Sequence, residues 1–151
     1  MTTQTLTKWH KVKLGDVANV LPGFAFKSSQ FKKDDGIPVI KIKSITDNYG
    51  VSLNGEYLDN SVLNEQTKKF IISSGDILVA MTGATAGKVG KFKSDKKALL
   101  NQRVAKISSK TIDPDYLWVL LGNKDTISLL YRLADGAAQP NMSGGQIESL
   151  E

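Results

Sequence analysis

The chain predicts a mixed α/β fold, and three observations carry that reading. Short apolar runs bounded by Gly, Asn and Asp turn residues occupy the middle of the chain, between residues 37 and 107. Helical spacing behind a recognisable cap begins at Asp113 and governs the remainder. The chain has 151 residues, 40% hydrophobic and 23% charged, which is the size and balance of one folded domain able to bury its own core without a staple.

The elements follow in order. Residues 1–8 are polar and Thr-rich and read as a flexible leader. Trp9, Val12, Leu14 and Val17 are expected to bury together as an anchor, with a short helix over residues 14–18. Pro22 and Gly23 mark a turn. Phe24, Phe26 and Phe31 flank the polar stretch Lys27, Ser28, Ser29, Gln30, and residues 34–36 turn again. Residues 37–45 predict a strand with Ile40 and Ile42 on one face and Lys41 and Lys43 on the other. Residues 48–50 and 54–55 are turn signals, and 61–69 predict a short polar helix. Residues 70–72 and 77–81 predict strands with a turn at Ser74, Gly75 and Asp76 between them. The second run is apolar throughout, as in a strand buried on both faces. Then come a small-residue loop over 82–87, a strand over 88–92, a basic turn over 93–97, and a strand or pair of strands over 99–107.

Asp113 caps a helix that has Pro114 at its first position. Tyr116, Leu117, Leu120 and Leu121 follow at helical spacing, and Gly122-Asn123 breaks it. A second helix is expected over about 125–134, with Ile127, Leu130, Tyr131 and Leu133 inward and Gly136 as a left-handed C-cap. After a loop over 137–142, Ser143 and Gln146 have capping-box spacing, and Ile147 and Leu150 open an apolar helical stripe. Two apolar residues do not hold a helix alone. Either this stub packs on the domain or the sequence is a piece of a longer protein; the second is favoured.

Composition narrows the function. There is no cysteine, which removes thiol catalysis, disulfides and cysteine-bound metal. The single histidine, His10, reads as a surface residue beside Trp9, and hydrolase or zinc chemistry needs several such groups to converge. No apolar run approaches a membrane span, and the first residues lack the pattern of a secretory signal, so a cytoplasmic protein is expected. Lys and Arg number 20 against 15 Asp and Glu, a net charge of +5, and only Arg103 and Arg132 are arginines. A lysine-rich excess suits either a DNA backbone or a solvated surface.

The motifs that suggest catalysis do not close. Gly83 to Val89 resembles a phosphate-binding P-loop but is one residue short between its glycines and lacks Ser or Thr after Lys88. Asp113-Pro114-Asp115-Tyr116 looks like the Asp-Pro-Pro-Tyr motif of adenine methyltransferases, yet its third position is wrong and capping explains it. Asp95-Lys96-Lys97 lies upstream of Pro114-Asp115, the wrong chain order for a nuclease. No catalytic constellation, metal site or cofactor is expected, and a binding module is.

Six stretches in order carry a resemblance. They are residues 9–18, from Trp9-His10-Lys11 to Gly15-Asp16-Val17-Ala18; Gly23-Phe24-Ala25-Phe26-Lys27-Ser28 with Phe31; and Gly36-Ile37-Pro38-Val39-Ile40-Lys41-Ile42. They continue with residues 75–90, from Gly75-Asp76-Ile77 to Lys88-Val89-Gly90; Leu100-Asn101-Gln102-Arg103-Val104; and Gln139-Pro140-Asn141-Met142-Ser143. Together, over about residues 9–151, they resemble a target-recognition domain of the DNA specificity subunit of type I restriction–modification systems. The resemblance implies a twisted, mostly antiparallel sheet with helices at one side, over residues 9–142, and the first turns of a spacer helix from Ser143. It implies readout of one half of a bipartite target on double-stranded DNA, so as to direct adenine methylation and restriction. The partners implied are methyltransferase subunits and a motor–nuclease subunit, with no membrane. A full subunit of that family carries two recognition domains separated by spacer helices, and this chain holds one. A protein-docking or regulatory module that competes with full subunits is the alternative.

Candidate contacts follow from chemistry. Lys27, Ser28, Ser29 and Gln30 form a polar loop between aromatics. Lys41 and Lys43 are expected to face phosphates together. Thr82, Thr85 and Lys88 flank the glycine loop. Asn101, Gln102 and Arg103 have base-reading chemistry, and the three also fit a buried polar network tying loops together, which is the preferred reading. Lys91, Lys93, Lys96, Lys97 and Arg132 are further phosphate candidates. Trp9, Phe24, Phe26, Trp118 and Tyr131 are expected in the core.

Overall fold

The computed structural model describes residues 9–134 and 140–151. Among these, the strands fall into two sheets. The first has the order β1 (Ala18–Pro22), β9 (Val104–Ser109), β6 (Ile77–Ala80), β7 (Val89–Lys91), every pairing antiparallel. The second has the order β2 (Phe31–Lys32), β4 (Tyr57–Leu58), β3 (Ile37–Ile40), β8 (Ala98–Leu100), β5 (Ile71–Ile72). Its one parallel pairing joins β3 to β8, with Val39 opposite Leu99 and Ile40 opposite Leu100. The helices are α1 (Leu14–Val17), α2 (Pro114–Gly122), α3 (Lys124–Ala134) and α4 (Gly144–Glu148). The mixed α/β, antiparallel-dominated fold is as expected, with two sheets in place of one.

The first sheet is a middle layer. Along β6, Ile77 and Val79 join the core under the helices, whereas Leu78 and Ala80 join the core shared with the second sheet. On β9, Ala105 and Ile107 face the helices and Val104 faces away. That is why the run at residues 77–81 carries no polar side: a strand with period 2 and a core on each face needs none. All four helices pack on the same face, through Leu14, Leu117, Leu121, Leu130 and Ile147.

The caps expected at Asp113 and Ser143 form, and Asn123, expected only as a break, caps the next helix as well. Asp113 Oδ1 accepts from Asp115 N at 2.8 Å and Tyr116 N at 3.1 Å. Asn123 follows α2 and its Oδ1 accepts from Asp125 N at 2.8 Å, at the start of α3. Ser143 and Gln146 exchange both bonds of the capping box. The stub α4 packs on α1 and β1, with Ile147 fully buried and Leu14 N donating to Leu150 O at 2.6 Å. The leader over 1–8, the cap at Gly136 and the loop residues 137–139 lie outside the described residues.

Several expectations change. Trp9 is 94% exposed, and Val12, Tyr116 and Tyr131 are also exposed. Only Leu14 of the N-terminal anchor is fully buried, because α1 is a single turn and turns one side inward. The strand over 37–45 stops at Ile40, and residues 42–44 form a 3₁₀ turn around buried Ser44, whose Oγ accepts from Lys41 N at 3.1 Å. Lys41 and Lys43 therefore do not share a strand face. The helix over 61–69 is replaced by two 3₁₀ turns, Asn60–Val62 and Lys68–Phe70. Polar side chains win the local hydrogen bonds there: Asp59 Oδ1 takes Ser61 N, Asn64 Oδ1 takes Gln66 N and Thr67 N, and Thr67 Oγ1 donates to Val62 O at 2.6 Å. The turn at residues 73–76 does not close a hairpin, since β5 and β6 belong to different sheets.

Candidate nucleic-acid interface

The chain crosses from the second sheet to the first in one tight turn, Asn101-Gln102-Arg103, between β8 and β9. That turn is held from three sides. Val104 N bonds Asn101 O at 3.0 Å, Asn101 N bonds Ile40 O at 3.0 Å, and Met81 N bonds Arg103 O at 3.0 Å. Gly23 N and Phe24 N reach Val104 O and Leu100 O, each at 2.9 Å. Gly23 has no side-chain space: a Cβ there would run into the Asn101 and Leu100 backbone. Met142 N then bonds Met81 O at 2.9 Å. Segments from residues 23, 81, 101 and 142 are thus stitched by main-chain bonds into one junction.

An open groove of about 480 Å³ lies beside it. Asn101, Gln102 and Arg103 form one rim, and Phe26, Ser28, Phe31, Lys41 and Ile42 form the rest. Four predicted contacts, Ser28, Lys41, Gln102 and Arg103, therefore converge from three stretches of chain. The network reading expected all three to be buried; Asn101 is, whereas Gln102 and Arg103 are exposed, because they are the turn residues between β8 and β9. Lys41 Nζ sits 4.1 Å from the Phe31 ring centroid, a cation–π contact that fixes it over the groove.

A carboxylate that sequence reasoning missed organises the lysines. Lys41 Nζ lies 2.8 Å from Glu56 Oε2, and Lys43 Nζ donates to Glu56 Oε1 at 2.7 Å. These two ammonium groups, Lys41 first, hold the Glu56 carboxyl below its usual range. Nothing near Glu56 in sequence signals this; the pairing of β3 with β4, Ile37 opposite Leu58, brings it there.

The other predicted residues lie apart. Lys27 and Gln30 line a neighbouring hollow of about 230 Å³ with Phe24, Asn64 and Gln66. Gln30 Oε1 accepts from Lys27 N at 2.8 Å, so part of that side chain closes the loop. Ser29 is exposed and lines neither space. Thr82 and Thr85 are half-buried on the loop after β6, and neither lines the groove. Lys88 is paired with Asp47, whose carboxyl it holds low. Gly87, at φ +86°, packs on the α3 backbone at Ile127 and Tyr131, so helix covers that end of the glycine loop. Lys91 pairs with Asp115 at 3.7 Å and lies 5.4 Å from the Trp118 ring. Lys93, Lys96, Lys97 and Arg132 are exposed or edge positions away from the groove. Among the described residues no helix is long and apolar enough to cross a membrane.

Comparison with known proteins places these features. The chain is 30% identical over 138 residues to the type I restriction enzyme MjaVIII specificity subunit of Methanocaldococcus jannaschii, covering 87% of this chain and 32% of the relative. It is 32% identical over 101 residues to the EcoBI specificity subunit of Escherichia coli, covering 66% of this chain and 19% of that one. The chain thus spans about a third or less of these relatives. Three solved structures share its fold. A chain from the structure describing complex assembly and conformational transition of the type I R-M system has TM-score 0.69 and 13% identity, over 97% of this chain and 35% of that chain. The S subunit from M. genitalium has TM-score 0.64 and 16% identity, over 99% and 35%. The HsdS subunit from Thermoanaerobacter tengcongensis has TM-score 0.65 and 15% identity, over 92% and 31%. The model of the type I restriction modification DNA specificity domain matches residues 7–151, and the chain belongs to that family.

Proposed function

We propose that this chain is a non-catalytic reader of double-stranded DNA, recognising one half of a bipartite target as part of a type I specificity subunit in the cytoplasm. Residues 9–142 would form the recognition unit and residues 143–151 the start of the spacer. Methyltransferase subunits would carry out adenine methylation and a motor–nuclease subunit restriction at the site so chosen. The observation that carries this reading is the convergence of Ser28, Lys41, Gln102 and Arg103 on one open groove at a main-chain-locked junction.

The chemistry divides between the two sides of the groove. Gln102 pairs with adenine and Arg103 with guanine through two parallel hydrogen bonds in the major groove. Lys41 and Lys43, with Lys27 and Ser29 nearby and Lys88 and Thr85 farther off, supply phosphate contacts that position without specifying. Tyr116 and Val119, 55% and 68% exposed on α2, support a protein-docking face on the opposite layer.

Selection of short random duplexes by the purified chain at low salt tests the reading. A short consensus, bound with an affinity that falls steeply with salt, is the expected result. Binding insensitive to Gln102→Ala, Arg103→Ala and Lys41→Ala together would move the interface elsewhere. No binding at low salt would favour the docking reading.

A further inference from the structure

We propose that Glu56 is a built-in counter-ion of the groove, restraining its grip on the DNA phosphate backbone whatever the sequence. The inference rests on the groove being the DNA interface. Its basis is geometric. Two lysines from one 3₁₀ turn share a single carboxylate, at 2.8 Å and 2.7 Å. Lys41 lines the groove, and the shared carboxylate ties it to Lys43, which lies outside the lining. Glu56 is itself held in place, because its carbonyl accepts from Val39 N at 3.1 Å, at the end of the β3–β4 pairing. The side chains of Lys41 and Glu56 are each about a third exposed, 29% and 32%, while Glu56 Oε2 itself is buried, so the carboxylate sits behind Lys41 and acts on the groove through that ammonium group.

The charge count then decides the behaviour. Lys41, Lys43 and Glu56 together carry +1. A carboxylate with two oxygens on two ammonium groups neutralises part of the charge a phosphate would otherwise meet. A phosphate docking on Lys41 meets an ammonium group already partly neutralised from behind, so the cluster releases fewer counter-ions than two free lysines. Each phosphate neutralised contributes a slope of about −0.9 in log affinity against log salt on B-DNA. The slope thus reads the net charge of the cluster directly. A specificity domain gains from this restraint, since backbone affinity is shared by every competing sequence.

The test is a four-member charge cycle. Wild type carries +1 at the cluster, Glu56→Gln +2, Lys43→Met 0, and the double variant +1 again. Anisotropy titrations on a random-sequence duplex and on the selected duplex, across salt, give the slope for each. The expected result is a slope steeper by about one for Glu56→Gln, with several-fold tighter binding to random DNA at low salt and the same selected consensus. Lys43→Met is expected to be shallower by about one, with the double variant back at the wild-type slope. Unchanged or weaker binding by Glu56→Gln, or a double variant that fails to return to wild type, overturns the proposal. The groove reading fails separately, if Gln102→Ala and Arg103→Ala leave binding intact. The isosteric Gln keeps a hydrogen-bond acceptor for Lys43. Should Glu56→Gln nevertheless unfold, Lys43→Met against wild type still reads the sign.

Discussion

Gly23 and Arg103 differ in kind at the residue scale, one fixing the groove and the other proposed to use it. Gly23 tolerates no Cβ because the obstacle is backbone, which cannot rotate aside as a side chain can. Gly23→Ala is expected to cost about 1–3 kcal/mol, read as a lowered urea midpoint, since overpacking here must move the β8–β9 turn. Arg103 is exposed and carries no stability role of that kind. Arg103→Ala is expected to leave the urea midpoint unchanged while costing about 1–3 kcal/mol on the selected duplex and relaxing one base position. Lys27→Ala should instead weaken all duplexes alike. The residue types offered two readings for Asn101, Gln102 and Arg103, base contact or a buried network, and only Asn101 is buried. What was not legible is exposure. Trp9 is apolar and aromatic, yet 94% exposed, and nothing in its own neighbourhood of the sequence distinguishes it from Phe26.

At the scale of elements, short-range chemistry could be read and long-range pairing could not. The caps at Asp113 and Ser143 depend on residues within three positions, so spacing alone announces them. Asp113→Ala is expected to destabilise the fold by about 1 kcal/mol in urea titration. The parallel pairing of β3 with β8 joins residues some sixty apart, and no local pattern foretells it. The Lys41–Glu56–Lys43 cluster has the same origin, because the β3–β4 pairing delivers its carboxylate. It yields a prediction in pH. The folded carboxyl titrates below its ordinary value of 4.5, so it contributes stability that is fully present above 4.5 and lost as pH falls through the folded value. The urea midpoint of wild type is therefore expected to exceed that of Glu56→Gln near neutrality, with the gap closing on acidification below 4.5. The Asp47 and Asp59 pairs titrate in both proteins and cancel in that difference. A gap independent of pH would mean that Glu56 acts through packing rather than charge.

The whole molecule is a stack of helices, four-stranded sheet and short-stranded sheet, and its cooperativity depends on the middle layer. β6 supplies alternate side chains to both cores: Ile77 and Val79 to one, Leu78 and Ala80 to the other. Neither outer layer can keep its core if β6 leaves. The short strands of the second sheet, several of two residues, share one core with Leu78, Ala80 and Val104 of that layer. The helices, α3 above all, have one apolar stripe and need it covered. Loss of either core is therefore expected to propagate through β6 and β9 to the other, and the chain to unfold as one unit. Two probes, one local and one global, check this. Trp118 reports the helix layer once Trp9, already in solvent, is replaced by Phe. Far-UV circular dichroism reports helices and both sheets together. The two urea transitions should coincide, and Leu78→Ala, a change in the second core alone, should shift the Trp118 transition by the full cost of the cavity, about 2–5 kcal/mol. Native-state hydrogen exchange should then find the slowest amides on β6 and β9, with the groove turn opening only when they do. A Trp118 transition indifferent to Leu78→Ala would instead make the helical layer a separate unit. The groove, built at the crossing between sheets, would then lose the rigid support from which Gln102 and Arg103 are argued to read DNA.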